Sequence, residues 1–191
     1  PKRPPHPNDI THINSVQELP QNPWFAAGDE RFRPGNLLVT ARNLDTIFII
    51  ARSSGDIVWS YRAGLDRQHE ALLYAADSPR AGLIAVFNNR LRSFASDRQS
   101  EVIEIDPRRV DPAAQQAGSE VIWRYRKLGF FTPTAGTQQA LPNGNFLLTS
   151  TRGGRVFETT RDGQVVWEWM PTYEPVRALR VAADACPQLA A

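Results

Sequence analysis

A short tryptophan-bearing motif recurs three times along this chain of 191 residues. It reads IVWSY at residues 57–61, VIWRY at residues 121–125 and VVWEW at residues 165–169. Each copy follows a turn and places two aromatic residues at alternate positions, so both rings lie on one face of a β-strand. Recurrence of this kind is typical of repeat architectures, in which each copy marks one supersecondary unit.

Three further apolar segments precede each copy of the motif, which makes a unit of four strands. They lie at residues 14–19, 36–40 and 46–50, then at 69–74, 82–87 and 102–105, and finally at 136–141, 145–149 and 155–158. Asn143–Gly144 and Asp162–Gly163 are dipeptides typical of tight hairpin turns. The polar stretches at residues 21–34, 90–99 and 106–119 are interpreted as insertions in exposed loops.

This pattern predicts an all-β chain of three four-stranded antiparallel β-propeller blades. A β-sandwich is the competing architecture, but it does not require the motif of the last strand to recur. The predicted boundaries are a leader at 1–8, blades at 9–63, 64–127 and 128–171, and a C-terminal tail at 172–191. A helical period is visible only in the tail after Tyr173.

The three tryptophans of the motif, Trp59, Trp123 and Trp167, are expected to pack between neighbouring blades rather than to bind a ligand. Three blades do not close a ring, because propellers have about 4–8. We therefore expect either the missing part of the propeller or a second chain to complete it.

Composition excludes several other classes of protein. Hydrophobic residues make up 41% and charged residues 22% of the chain, as in ordinary soluble domains. The net charge is only +2 and the arginines are scattered, which argues against nucleic acid as a partner. The longest apolar run, at residues 47–50, is too short to span a bilayer, and no signal peptide is visible. The single Cys186 cannot form an intrachain disulfide.

Polar residues collect at one mouth of the predicted propeller channel. That mouth is formed by the segments leading into the first strands and by the loops between second and third strands. These positions hold two histidines, an asparagine, an arginine and a threonine: His12, Asn14, Arg42, His69 and Thr134. Taken singly, each is more often a residue that hydrogen-bonds in a loop, but their convergence favours a functional site. His6 lies in the Pro-rich leader and is expected at the surface.

Several of these segments are similar to one known family. HINSV at residues 12–16, GNLLVTARNL at 35–44 and QHEA at 68–71 resemble the bacterial arylsulfate sulfotransferases that do not use PAPS. FTPTAG at 131–136 and LPNGN at 141–145 fit the same pattern. The similarity runs from Asp9 to Pro171, with Glu70 at a position where many relatives carry Asp.

The resemblance implies the C-terminal half of a six-bladed propeller in a periplasmic or secreted protein. It implies ping-pong transfer of a sulfuryl group from an aryl sulfate to a phenol, with His69 transiently sulfated. His12 and Arg42 match further catalytic residues, and Asn14 and Thr134 match residues that bind the substrate. A further family histidine belongs to an earlier blade and is absent from this chain. The resemblance implies no cofactor.

Elementary chemistry agrees with these residue types. A neutral imidazole is a nucleophile at ordinary pH, and His12 can give and take the proton of a phenol. Arg42 and the Asn14 amide can stabilise negative charge on sulfuryl oxygens. No carboxylate and histidine cluster has the spacing of a metal site.

Two other functions fit the same fold. One is a non-catalytic propeller that binds a ligand or a partner. The other is a quinoprotein-like propeller that uses PQQ, which is disfavoured because no acidic Ca²⁺-binding cluster is evident.

Overall fold

The computed structural model describes residues 8–92, 98–111, 113–114, 116–182 and 185. The predicted leader up to residue 7, with His6, and the single Cys186 lie outside the described residues, as do residues 93–97 of the second insertion. The described residues form three four-stranded antiparallel sheets in which neighbouring strands follow one another along the chain. The prediction of an all-β chain is confirmed.

Sheet I contains β1 (Ile13–Glu18), β2 (Leu37–Ala41), β3 (Thr46–Ile50) and β4 (Ile57–Tyr61). Sheet II contains β5 (His69–Leu73), β6 (Ile84–Asn88), β7 (Glu101–Ile105) and β8 (Val121–Tyr125). Sheet III contains β9 (Thr137–Ala140), β10 (Phe146–Ser150), β11 (Arg155–Thr159) and β12 (Val165–Trp169). All of these strands lie within two residues of their predicted positions.

Short helical turns interrupt the loops. The insertion between β1 and β2 contains the helix α1 (Pro23–Ala26) and a 3₁₀ turn at Glu30–Phe32. Two more 3₁₀ turns lie at Arg42–Leu44 and Pro107–Arg109. The tail, for which the sequence allowed a helix, contains none between Tyr173 and residue 182.

The sheets pack face to face around two apolar cores. One core joins sheets I and II, and the other joins sheets II and III. The indole N–H of Trp59 donates to the Pro107 carbonyl of sheet II at 3.1 Å, and that of Trp123 donates to the Arg161 carbonyl of sheet III at 2.9 Å. Because both rings also pack against the next sheet, the predicted role of these two tryptophans is confirmed.

Trp167 does not lie between two of the described sheets, so its packing against a neighbouring blade stays a prediction. The residue is 44% exposed, and no sheet follows sheet III in the part of the chain that the structure describes. The tail partly covers this face instead. Arg180 lies over the Trp167 ring at 5.6 Å and pairs with Glu158.

The tail contact repeats an arrangement found between sheets II and III. Glu104 and Glu158 stand opposite the motif tryptophan of their own sheets in the strand register. Arg161 of sheet III reaches Glu104 at 2.8 Å and lies over Trp123 at 5.1 Å, just as Arg180 reaches Glu158 and covers Trp167. Arg180 of the tail therefore has the same role at sheet III as Arg161 of sheet III has at sheet II.

The first strands of the three sheets lie side by side, joined by side chains that bond to the neighbouring backbone. Gln17 of β1 exchanges two hydrogen bonds with Leu73 of β5, at 3.1 and 2.7 Å. Glu70 of β5 accepts from the Gln138 N–H of β9 at 2.8 Å. Of the polar residues that the sequence analysis singled out, Asn14 and His69 lie on these first strands, and the others lie on adjoining loops.

Candidate functional site

Two strand irregularities shape the site. The pairing of β1 with β2 shifts at Asn14, and that of β5 with β6 shifts at Glu70. A β-bulge of this kind bends the strand and re-aims its side chains, and bulges are common beside functional sites. Neither bulge was predicted from the sequence.

Backbone strain concentrates at the same place. Non-glycine residues with positive φ are uncommon and cost free energy, so they tend to be retained where function requires them. Among the described residues they lie on the segments leading into first strands, on the loops that follow second strands or, for one of them, within the first strand β5: His12, Asp45, Arg67, Glu70, Arg90 and Ala135.

A small cavity of about 150 Å³ opens between the first strands. Asn14 and His69 both line it, together with Ser15, Glu70 and residues 135–137, and the tail contributes Val176 and Arg177. The structure thus brings together two of the five residues predicted from the sequence in one cavity wall.

His69 is the central side chain of this site. Only 9% of it is exposed, and burial lowers the pKa of its imidazole from 6.5 to about 4. The nearby positive charges of Arg42 and His12 lower it further, while a hydrogen bond with Asn89 opposes the shift. The ring is therefore neutral at physiological pH. Its Nδ1 lies 2.6 Å from Asn89 Oδ1, and its Nε2 accepts the Ala135 N–H at 3.0 Å.

His12 is held by a carboxylate. Its Nδ1 pairs with Asp9, whose other oxygen accepts the His12 backbone N–H at 2.9 Å. The side chain of His12 is 42% exposed, so Nε2 can reach a molecule at the mouth. A histidine whose Nδ1–H is fixed by a carboxylate exchanges protons through Nε2.

Arg42 belongs to a cluster of guanidinium groups. Its backbone N–H donates to the His12 carbonyl at 3.1 Å, which places the two residues next to each other. Arg42 and Arg67 both donate to the Asn43 amide oxygen. Burial and the neighbouring Arg67 charge lower the pKa of Arg42, and its buried Nε has no partner among the described residues. A bound anion would offset this repulsion.

The two predicted substrate-binding residues differ in their placement. Asn14 donates through Nδ2 to the Gln68 carbonyl at 3.1 Å, and its buried Oδ1 has no partner in the described part of the chain. Thr134 is half-buried in the loop before β9, where its carbonyl accepts from the Thr132 hydroxyl at 2.9 Å. Thr134 is not among the residues that line the cavity, although the adjacent Ala135 is.

Sequence reasoning missed Asp9 and Asn89. Asp9 stands three residues before His12, a spacing at which a carboxylate readily accepts a nearby backbone N–H. Asn89 lies in the loop after β6, which is equivalent to the loop of sheet I that holds Arg42. The same rule applied to sheet II would have found Asn89.

The described residues contain no group of three or more histidine, cysteine or acidic side chains that could hold a metal ion. They also contain no helix that is long and apolar enough to cross a membrane.

Comparison with known proteins agrees with the resemblance. A family model described as Arylsulfotransferase (ASST) matches residues 3–172. No curated protein matches the chain. A solved structure of a protein of unknown function from Bacteroides caccae is 17% identical with a TM-score of 0.44, over 70% of this chain and 41% of that one. The chain thus spans less than half the length of that protein. Because the family model covers most of the sequence, the chain belongs to the arylsulfotransferase family.

Proposed function

We propose that this chain forms part of an enzyme that transfers a sulfuryl group from an aryl sulfate to a phenol through a sulfohistidine at His69. Membership of the arylsulfotransferase family suggests sulfuryl transfer in general. The observation that carries the finer proposal is the buried His69, a neutral imidazole that lines the same cavity as Asn14. A neutral imidazole has the lone pair that covalent catalysis needs.

In the first half-reaction the imidazole lone pair of His69 forms a bond to sulfur. The bond between sulfur and the aryl oxygen breaks, and the electron pair leaves with that oxygen as a phenolate. His12 then protonates the phenolate, and the Asp9 carboxylate stabilises the charged form of His12. Arg42 and Arg67 offset the negative charge that spreads over the sulfuryl oxygens in the transition state.

In the second half-reaction an acceptor phenol takes the place of the first product. His12 removes the phenolic proton while the phenol oxygen attacks sulfur. The N–S bond breaks and its electron pair returns to His69, which restores the neutral ring. Because donor and acceptor use one site in turn, the kinetics are ping-pong.

We further propose that the three sheets are blades of a larger β-propeller, half of a six-bladed ring, in a periplasmic protein. The side-by-side first strands support a propeller, in which such strands surround a central channel. The exposed apolar face of sheet III supports a further sheet or a second chain that completes the ring. The location rests on the family resemblance, and fractionation of cells expressing the complete protein tests it.

Intact mass spectrometry tests the covalent step. The purified protein is incubated with 4-nitrophenyl sulfate and quenched in alkali, because N–S bonds hydrolyse in acid. We expect a gain of one sulfuryl group, located on His69 by peptide mapping and absent in His69→Ala. Arg152→Ala, which removes an exposed guanidinium paired with Glu174, serves as the control and should retain the adduct. A propeller that only binds ligands predicts no adduct in any variant.

Leaving-group dependence tests the role of His12. The variant His12→Gln should react with 4-nitrophenyl sulfate nearly as fast as the unchanged protein, because nitrophenolate departs without a proton. With phenyl sulfate, whose leaving group needs protonation, the variant should be slower by about 10²–10⁴-fold. An equal loss with both donors would show that His12 is not the acid.

A further inference from the structure

The hydrogen bonds of His69 determine which of its nitrogens carries the proton. The Ala135 backbone N–H points at Nε2 from 3.0 Å, and a backbone N–H can only donate. Nε2 must therefore present its lone pair. Since the ring is neutral, the proton lies on Nδ1 and is donated to Asn89 Oδ1 at 2.6 Å.

The orientation of Asn89 is fixed in turn by two carbonyl groups. Its Nδ2 donates to the carbonyls of Thr132 and Ala135, each at 2.8 Å. Carbonyl oxygens only accept, so the amide group cannot rotate by half a turn without placing its oxygen against two others. Asn89 is fully buried, which removes water as an alternative partner.

We propose that Asn89 is a positioning residue for sulfuryl transfer, which keeps the proton of His69 on Nδ1 and so makes Nε2 the nitrogen that bonds to sulfur. The proposal rests on the function proposed above for His69. When Nε2 bonds to sulfur and the bond between sulfur and the aryl oxygen breaks, the imidazole ring becomes positively charged. The Nδ1 proton stays in place, and its hydrogen bond to Asn89 becomes charge-assisted and stronger.

The same geometry gives the backbone N–H of Ala135 a role in the transfer. In the structure it occupies the lone pair that must attack, so this hydrogen bond has to break before the N–S bond forms. The freed N–H then lies beside Nε2 and can donate to an oxygen on the transferred sulfur.

The test compares Asn89→Ala with Asn88→Ala. Asn88 is equally buried and directly precedes Asn89, but its amide bonds to Gly64, Glu101 and Asp66 and not to His69. Both variants remove a buried amide, so both lose stability. Only Asn89→Ala removes the acceptor of the Nδ1 proton and the anchor of the Ala135 loop.

The first readout is the pair of ring ¹⁵N chemical shifts of His69 in histidine-labelled protein. The unchanged protein and Asn88→Ala should show one protonated Nδ1 and one unprotonated Nε2. Asn89→Ala should move both shifts toward the averaged value of interconverting tautomers. Unchanged shifts in Asn89→Ala would overturn the proposal.

The second readout is the rate of sulfuryl adduct formation against pH. Asn89→Ala should slow it by about 10–100-fold, the range known for partners that orient a metal-bound histidine through its other ring nitrogen. In Asn89→Asp the added negative charge should favour the protonated ring of His69. As the pH is lowered, the rate should therefore begin to fall at a higher pH than in the unchanged protein. An adduct that forms at the original rate and pH profile in both Asn89 variants would overturn the proposal for Asn89 alone. No adduct in the unchanged protein would overturn the proposed function as well.

Discussion

Burial of His69 predicts a loss of stability in mildly acidic solution that comes from this single side chain. The pKa of its imidazole is lowered from 6.5 to about 4, chiefly because burial disfavours the cation. In the unfolded chain the ring takes up a proton near its ordinary pKa, whereas in the folded protein it remains neutral. Protonation therefore favours the unfolded state. The contribution of the neutral ring is fully present above about pH 6.5 and is lost as the pH falls toward 4.

The size of the effect follows from the shift. A difference between 6.5 and about 4 corresponds to about 3 kcal/mol at about 1.4 kcal/mol per pKa unit. Other groups also titrate in this range, so the measurement compares the protein with His69→Gln. Glutamine can still donate to Asn89 and accept from the Ala135 N–H, but it does not titrate. The carboxylates and the remaining histidines then cancel in the difference.

Urea denaturation at a series of pH values gives the two stability curves. Between about pH 7 and pH 4 the unchanged protein should lose about 3 kcal/mol more of its free energy of unfolding than His69→Gln does. The part of the difference between the curves that does not change with pH reports lost packing, and only the part that changes with pH reports the titration of His69. Parallel curves over the whole range would refute the reasoning, because they would mean that His69 has the same pKa in the folded and unfolded states.

Three further predictions concern packing and the tail, the first two measured as the free energy of unfolding in urea. Gly136→Ala should cost about 3 kcal/mol, because the new Cβ would lie 2.5 Å from an aromatic ring at a φ of +103°. Gly129→Ala, with a φ of +81° and open space around it, should cost about 1 kcal/mol. Trp59→Ala should cost about 4 kcal/mol and Trp167→Ala about 1 kcal/mol, since only the second ring is largely exposed; equal costs would contradict the packing described. Arg180→Ala should speed limited proteolysis of the tail, and an unchanged cleavage rate would show that this residue does not hold it.

The strand pattern was predictable because it depends on local rules. The tryptophan motif located the last strand of each sheet, and short apolar segments located the other strands. The apolar run at residues 47–50, for example, forms most of β3, in which Ile47 and Ile49 are buried. The proximity of His12 and Arg42 also followed, since alternating strand direction brings those two loops together.

The bulges at Asn14 and Glu70 were not predictable in the same way, and the rule that locates Asn89 after β6 does not reveal its contact with His69. A bulge depends on how two strands pair, and no residue type marks these two. The contact between Asn89 and His69 depends on the approach of the loop before β9, in which Gly136 packs against the Phe87 ring. Such approaches are set by the packing of whole sheets and leave no signal in the spacing of residues.

The arginine of the tail has a consequence for any protein surface that meets sheet III. Arg180 already satisfies Glu158 and lies over Trp167, the two groups that a following sheet would use. A segment tethered to the same chain acts at a high effective concentration, often in the millimolar range. A sheet that binds there must therefore displace the tail or bind around it, and its affinity falls by the free energy that the tail contact contributes. Residues 178–181 of the tail, which lie beside Trp167 and Trp169, would therefore compete with any sheet that packs on that face.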